Sequence, residues 1–205
     1  MASIGPALDT SKPRTWTRDG FVISTDPSLI PIPALNKAFA SEEIYWASAL
    51  PASAMRDMLQ NSLSFGLYSP TPSPPPPTDQ PNISTTDPAE TWHEIAASVQ
   101  KKPDSRPLAA EPSLIGFARA ITDRVTFLYL TDVYVLPEWQ GRGLGNWLVG
   151  CVQEVVEDMP YLRRSMCIIG HGRQSRMEFY KRLMKMEPLA DPAMVLNWKG
   201  PGCMF

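Results

Sequence analysis

Three glycines at alternate positions, Gly141, Gly143 and Gly145, separate a β-branched run from a helical pattern. The run reads "LTDVYVL" over residues 130–136, and apolar residues then recur three and four positions apart over residues 144–156. A strand, a glycine turn and a helix N-terminus in this order could bind a phosphate. The first amides of a helix have no partner within the helix, and the helix dipole favours an anion.

Two common nucleotide-binding loops do not fit this spacing. A Walker loop requires GxxxxGK[ST], but Asn146 and Trp147 follow Gly145 where the lysine would stand. A Rossmann fingerprint requires GxGxxG and an acidic residue closing a following strand about 20 residues on. This loop has the rhythm GxGxG and lacks that acidic residue. A glycine turn that binds no ligand is the structural alternative, although three glycines are more than a turn requires.

The length, composition and charge of the chain limit the classes of protein to which it could belong. The chain has 205 residues, 43% of them apolar, and a net charge of −2, which favours one domain and argues against a nucleic-acid partner. Three cysteines without a CxxC pair and only two histidines argue against disulfides and a metal site. No signal peptide or apolar run of about 18 residues stands out, so we expect a cytoplasmic protein without membrane association.

Secondary-structure patterns predict an α/β chain interrupted by a proline-rich segment. We interpret residues 69–112, which include "SPTPSPPPPTDQPNISTTDP", as an insertion between the second and third strands of a single domain spanning 1–205. Predicted strands cover residues 20–25, 62–69, 113–122, 125–136, 165–170 and 192–198. Predicted helices cover residues 32–39, 51–61, 144–156 and 175–184, with a shorter one at 90–102 inside the insertion.

The segment "VYVLPEWQGRGLGNWLV" resembles motif A of the GNAT superfamily of acyl-CoA-dependent N-acetyltransferases, [RQ]-x-x-G-x-[GA], through Gln140, Gly143 and Gly145. The segments "YWASALP", "NSLSFGLY", "GFARAITDRVTFLYLTDVYVL" and "FYKRLMKMEPL" follow the order found in small single-domain members. The resemblance implies a central mixed, mostly antiparallel β-sheet, splayed after the fourth strand and flanked by helices. It also implies an enzyme that uses acetyl-CoA as cosubstrate.

The same resemblance assigns residues to the coenzyme. Main-chain amides of the loop would hold the pyrophosphate, and the backbone of the fourth strand would pair with the pantetheine arm, where side chains would block close approach. The expected coenzyme-binding residues are Val133, Tyr134, Val135, Gln140, Gly141, Arg142, Gly143, Leu144, Gly145, Asn146, Arg176 and Tyr180. Arg173 and Arg182 are further candidates for the phosphates.

Acetyl transfer from a thioester to an amine needs one group that takes a proton and one that gives a proton. The amine is protonated at neutral pH and must become neutral, whereas the departing thiolate must gain a proton. The resemblance assigns the acid to Tyr180 of the "FYKRLM" segment. Lys185 departs from the family, which usually has glycine there, and a helix end that favours positive φ is strained by lysine.

The sequence leaves two candidates for the group that takes the amine proton: the carboxylate of Asp132, or a water molecule held by neighbouring residues. Simple alternation in a strand places Asp132 with Leu130 and Tyr134, on the face opposite Tyr129, Thr131 and Val133. Only one of these faces can meet the acceptor. If Asp132 is structural, then Tyr129, Thr131 or a residue of "EEIYW" would relay a water molecule.

The resemblance also implies that the first segments wall the acceptor site, so their aromatic residues Tyr45, Trp46 and Phe65, together with Tyr129, are expected to line it. A plain hydrophobic core would explain the same residues. The function that follows is transfer of acetyl from acetyl-CoA to a primary amine of a small molecule by direct attack in a ternary complex. The alternative is a non-catalytic acyl-CoA-binding sensor or interaction module. We expect a monomer or a homodimer.

Overall fold

One six-stranded sheet organises the chain, whose computed structural model describes residues 12–70, 113–170 and 173–189. The strands lie side by side in chain order. They are β1 (Thr15–Arg18), β2 (Phe21–Ser24), β3 (Leu63–Ser69), β4 (Ser113–Thr122), β5 (Phe127–Val135) and β6 (Arg164–Cys167). Neighbours from β1 to β5 are antiparallel, and β6 is parallel to β5. The predicted mixed, mostly antiparallel sheet is thereby confirmed.

Within the part of the chain that the structure describes, four α-helices flank the sheet. They are α1 (Ile32–Phe39), α2 (Ala52–Gln60), α3 (Leu144–Glu157) and α4 (Arg173–Met184), and short 3₁₀ turns occupy Pro27–Leu29 and Pro137–Trp139. The helical pattern after the glycines is confirmed, because α3 buries one face of regularly spaced apolar residues and ends before Pro160. No helix within the described ranges is long and apolar enough to cross a lipid bilayer.

Strand β1 precedes the first strand that the sequence predicted, at residues 20–25. It pairs with β2 across a tight turn at Asp19 and Gly20, whose φ angles are +50° and +81°. Asp-Gly is the preferred pair for such a hairpin turn, so the sequence did carry a signal. The four predicted strands from residue 20 to residue 136 therefore correspond to β2–β5.

Buried apolar residues form one cluster on each face of the sheet. One cluster packs β3, β4 and β5 against α3, with Leu130, Leu148 and Val152 among its members. The other packs the opposite face against α1 and α2, with Leu35, Phe117 and Tyr134 among its members. Strand β5 contributes to both clusters, so some of its side chains pack against α3 and others pack against α1 and α2.

A β-bulge in β5 overrides the simple alternation expected there. Arg119 of β4 lies opposite Thr131, whereas Phe117, two residues earlier, lies opposite Tyr134, so β5 has one extra residue between these pairs. Asp132 is in the bulge with φ of +52°. The prediction that Asp132 faces the same side as Leu130 is wrong, because the bulge turns Asp132 to the face that carries Arg119 and Thr131.

Three predictions lie outside the described residues: the interior of the 69–112 insertion, the helix at 90–102 and the last strand at 192–198. The insertion's ends are described, because Ser69 of β3 and Ser113 of β4 are directly paired partners. The single-domain assignment stays a prediction.

Candidate coenzyme and acceptor site

The sheet opens between β5 and β6. Their pairing ends at Leu130 and Cys167, although β5 continues to Val135. The predicted splay after the fourth predicted strand is therefore present. A cleft of about 850 Å³ occupies this opening and runs from β5 to the start of α3 and along α4.

The glycine loop adopts a backbone that favours glycine. Gly141 and Gly143 have φ of +76° and +73°, and Gly143 is the N-cap of α3 without a side-chain hydrogen bond to the first turn. The side chain of Gln140 donates a 2.8 Å hydrogen bond to the carbonyl of Val135. The loop is thus tied to the end of β5, and the first amides of α3 are left for an anion.

Most of the predicted coenzyme-binding residues line this cleft. They are Val133, Tyr134, Val135, Gln140, Gly141, Gly143, Leu144, Gly145, Asn146, Arg176 and Tyr180. Arg142 is the exception, because its guanidinium lies over the ring of Trp139, 4.8 Å from the ring centre. Arg182 approaches the side chain of Asn146 at 3.4 Å. The side chain of Arg173 lies outside the described part of the chain.

A smaller cavity of about 250 Å³ adjoins the cleft, and the two share Trp46, Val133, Arg176 and Tyr180. The predicted acceptor residues Tyr45, Trp46 and Tyr129 line it. Phe65 does not line this cavity. It is fully buried in the core, and its ring stacks on that of Trp16 with 6.1 Å between the ring centres. We call this space the acceptor cavity.

A polar network crosses one wall of the acceptor cavity. The Nε of Arg119 donates to Oδ2 of Asp132 at 2.7 Å, and the hydroxyl of Thr131 donates to Oδ1 of Asp132 at 3.3 Å. Both side chains of the ion pair are largely buried. Burial raises the pKa of the neighbouring Tyr129 hydroxyl, and its hydrogen bond with Thr131 acts in the opposite direction.

Tyr180 lies where the cleft and the acceptor cavity meet. Burial raises the pKa of its hydroxyl to about 12, with a smaller contribution from Cys167 and an opposing one from the Arg176 guanidinium. The hydroxyl therefore keeps its proton at any physiological pH. A protonated phenol at this junction can donate to a sulfur atom that enters from the cleft.

Sequence reasoning missed two residues of the acceptor cavity whose side chains carry a guanidinium or a thiol. Arg119 of β4 and Cys167 of β6 both line it. Arg119 is the one charged residue within the apolar β4 pattern "SLIGFARAIT", which was a usable signal. Cys167 had no such signal in its apolar run. Among the described residues, no group of three histidine, cysteine, aspartate or glutamate side chains could hold a metal ion.

Together, the splayed sheet, the positive-φ loop before α3 and the paired cavities define an α/β transferase that would hold its donor between two separating strands. Residues 69–185 match the sequence profile of the Acetyltransferase (GNAT) family. This chain belongs to that family, so it is an acetyltransferase and its cosubstrate is acetyl-CoA, as the sequence predicted.

Known proteins agree with this assignment. A protein of Gibberella zeae named "Putative acetyltransferase FG08082" is 35% identical over 205 residues, covering 95% of this chain and 98% of the relative. A solved GNAT-family structure from Xanthomonas campestris pv. campestris has a TM-score of 0.56 at 24% identity, covering 89% of this chain and 94% of its own. The GNAT family protein SP0256 of Streptococcus pneumoniae TIGR4 has a TM-score of 0.50 at 14% identity, covering 88% and 98%. The similarity to these two solved structures supports the assignment of the fold alone.

Proposed function

We propose that this acetyltransferase moves the acetyl group of acetyl-CoA to the primary amine of a small molecule. The observation that carries the proposal is the junction at Tyr180, where the coenzyme cleft meets a separate and smaller cavity. A thioester delivered along β5 would reach this junction from one side, and an amine held in the acceptor cavity would reach it from the other. This arrangement favours direct attack in a ternary complex, because it shortens the path between the two reacting atoms.

Each group has a defined part in the proposed reaction. The amine nitrogen attacks the thioester carbonyl, the carbon–sulfur bond breaks, and Tyr180 gives its proton to the departing sulfur. Burial raises the pKa of Tyr180 to about 12, so its hydroxyl is protonated and can donate a hydrogen bond to the sulfur as negative charge develops there. In the complex, the main-chain groups of Val133 and Val135 would hold the pantetheine arm, and the loop amides from Gly141 to Gly145 would hold the pyrophosphate.

Asp132 is proposed as a positioning residue. One of its carboxylate oxygens accepts from Arg119 and the other accepts from Thr131, so both are already engaged. We therefore assign removal of the amine proton to water in the acceptor cavity. Thr131 and Tyr129, which line that cavity, would orient the water.

Cys167 is the nucleophile that could support the competing route through an acetylated enzyme, since it lines the acceptor cavity. Burial raises the pKa of its thiol. The thiolate is the reactive form of cysteine, and a raised pKa reduces its population at neutral pH. This supports direct transfer rather than a covalent intermediate on Cys167.

The test is a steady-state assay of coenzyme A thiol release with acetyl-CoA and a panel of small primary amines. Tyr180→Phe should lower kcat by roughly tenfold or more, the size expected for loss of a general acid, and leave acetyl-CoA affinity within about twofold. Tyr161→Phe is the matched control, because Tyr161 is exposed and lines neither cavity. It should match the wild type.

Equal turnover by the Tyr180→Phe variant would remove Tyr180 from the reaction. Initial rates at several concentrations of both substrates test the order of binding. Intersecting double-reciprocal lines agree with a ternary complex, whereas parallel lines would require a covalent acetyl-enzyme.

A further inference from the structure

Arg119 is a largely buried cation that the function proposed so far does not use. It lies in the middle of β4, opposite Thr131, and its side chain is 15% exposed. The acceptor cavity is lined by Arg119 together with Asp132 and Tyr129. A guanidinium in such a place is costly to bury unless its donors have partners.

The guanidinium of Arg119 is only partly paired. Its Nε donates to Asp132, and within the described residues its two terminal nitrogens donate to nothing. A guanidinium carries five N–H donors in a planar fork, and two parallel donors of that fork match the two oxygens of a carboxylate. The unused donors belong to a side chain that lines the cavity, where an acceptor can reach them.

The charges around the cavity indicate what kind of acceptor fits. Its charged lining residues are Arg119, Asp132 and Arg176. Asp132 is already held by Arg119 and Thr131, so the residues lining this cavity offer an ammonium group no unengaged carboxylate. A simple cationic amine would add to the excess positive charge of the cavity, whereas an amine that also carries an anionic group adds no net charge and brings its anion to the cationic side chains.

We propose that the acceptor is an amine that also carries a carboxylate, such as a free amino acid, and that Arg119 is the residue that selects it. This inference rests on the proposed function. The carboxylate would pair with the terminal nitrogens of Arg119. The amine would then lie toward Tyr180 and Val133, which the cavity shares with the coenzyme cleft.

The size and walls of the cavity agree with this class of molecule. Its volume of about 250 Å³ corresponds to roughly eight water molecules in the liquid, which suits a single amino acid. Tyr45 and Trp46 add aromatic walls, and their rings are 5.1 Å apart in an edge-to-face contact. Such walls accept an apolar side chain, so an amino acid with an apolar side chain is the best match.

The experiment compares matched acceptors that differ at the carboxylate alone. Phenylalanine, phenylalaninamide and 2-phenylethylamine, and the equivalent leucine series, are assayed by coenzyme A thiol release with acetyl-CoA. The wild type should favour each acid by roughly 10- to 100-fold in kcat/KM, the range for a buried hydrogen bond to a charged group. Most of the difference should appear in KM, since the carboxylate is remote from the reacting atoms.

Two variants assign the preference to Arg119. Arg119→Gln combined with Asp132→Asn replaces the ion pair without leaving a lone buried charge, and it should bring the ratio of acid to amide close to one. Arg119→Lys keeps the charge but loses the fork, and it should keep part of the preference. Arg56→Gln, at an exposed position of α2 outside both cavities, should keep the wild-type ratio.

The outcomes separate this inference from the function on which it rests. Equal acetylation of acids, amides and decarboxylated amines by the wild type overturns the carboxylate inference and leaves N-acetyl transfer standing. Acetylation of none of them, while other primary amines of the panel are acetylated, overturns the carboxylate inference alone. Acetylation of no amine in either set, with acetyl-CoA still bound, overturns both. A wild-type preference that survives in the folded double variant overturns the role of Arg119. The wild-type comparison holds even if the double variant does not fold.

Discussion

At the scale of single residues, the glycines of the loop serve different purposes. Gly141 and Gly143 are needed for their positive φ angles, and nothing lies within 4 Å of a Cβ placed on either. Gly145 is different, because it lies inside α3 in an ordinary conformation, and a Cβ there would meet only Val135 at 3.9 Å. The folded chain alone would therefore accept a side chain at Gly145. We propose that its absence leaves space for a bound coenzyme.

This difference predicts opposite effects on stability and binding. Gly145→Ala should keep or raise the free energy of unfolding, by up to about 1 kcal/mol, because alanine is a better helix former than glycine. The same change should weaken acetyl-CoA binding by roughly tenfold, about 1.4 kcal/mol, because its methyl group lines the cleft. Chemical denaturation and isothermal titration calorimetry measure the two quantities.

Gly150→Ala is the matched control. Gly150 also lies in α3, has nothing within 4 Å of a placed Cβ and does not line the cleft. Its substitution should stabilise the protein and leave acetyl-CoA affinity unchanged. Equal affinities for the two variants would show that Gly145 does not approach the coenzyme.

The raised pKa of Tyr180 predicts how the rate and the stability of the enzyme change at alkaline pH. Its pKa of about 12 lies above the usual value of 10, so the rate should rise with pH up to 10 as the amine loses its proton, without a descending limb. The sign for stability follows from the same shift: the folded state keeps a proton that the unfolded state loses above pH 10. The contribution of Tyr180 to stability is therefore complete below pH 10 and falls as pH rises from 10 to 12.

Thermal melts between pH 9 and pH 11.5 check this direction. The wild type should lose stability more steeply above pH 10 than Tyr180→Phe does, and below pH 10 their melting temperatures should run parallel. A descending limb in kcat below pH 9 that vanishes in Tyr180→Phe would contradict the raised pKa.

At the scale of elements, regular patterns were predictable and local irregularities were not. Helix α1 begins and ends where its apolar spacing predicted, and α3 follows the glycine loop as expected. The bulge at Asp132 could not be read from the sequence, because it depends on how β5 matches β4, a long-range pairing. That one extra residue moved Asp132 from the core face to the acceptor cavity. Phe65 was misplaced for a related reason, since an aromatic residue in a strand suits a core and a binding site equally.

Strand β1 packs along the length of α3 through alternate residues. Arg14, just before β1, donates to Asp158 at 2.7 Å, and Trp16 Nε1 donates to Glu154 at 2.7 Å. Arg18 donates to the Gly143 carbonyl at 3.4 Å and lies over the ring of Trp147. Residues two apart point to one face of a strand, so β1 connects both ends of the helix that follows the coenzyme loop.

Trp16 should therefore contribute most to this contact. Trp16→Ala removes both the hydrogen bond to Glu154 and the stacking on Phe65, and it should lower the free energy of unfolding by about 2 kcal/mol, less than for a fully buried tryptophan. Thr17→Ala, on the exposed side of the same strand, should change it by less than about 0.5 kcal/mol. Urea denaturation measures both, and equal effects would mean that β1 does not stabilise α3.

At the scale of the whole molecule, the site lies where one sheet changes from antiparallel to parallel pairing. The antiparallel strands up to β5 are joined to a parallel β6 by a crossover through α3. Because β6 pairs with only the first part of β5, the rest of β5 has no paired strand on that side among the described residues, and we propose that the coenzyme binds there. The pattern of strands and helices predicted an α/β chain, and the resemblance to the GNAT superfamily implied a mixed sheet splayed after its fourth strand. The acceptor was not predictable in the same way, because its cavity combines side chains from β4, β5, β6 and α4.

The insertion can be tested as a separate part of the chain because its two ends are neighbours. Ser69 and Ser113 are paired partners in β3 and β4, so a two-residue Asn-Gly turn in place of residues 70–112 would close a regular hairpin. Each halving of loop length lowers the closure cost by about 0.6 kcal/mol, so the shortened protein should be more stable by about 2.7 kcal/mol. It should unfold in one cooperative step and bind acetyl-CoA within about threefold of the wild type, because the turn leaves β5, the glycine loop and the pairing of β3 with β4 unchanged. Denaturation followed by calorimetry measures both, and loss of cooperative unfolding or of coenzyme binding would show that the segment belongs to the core of the domain.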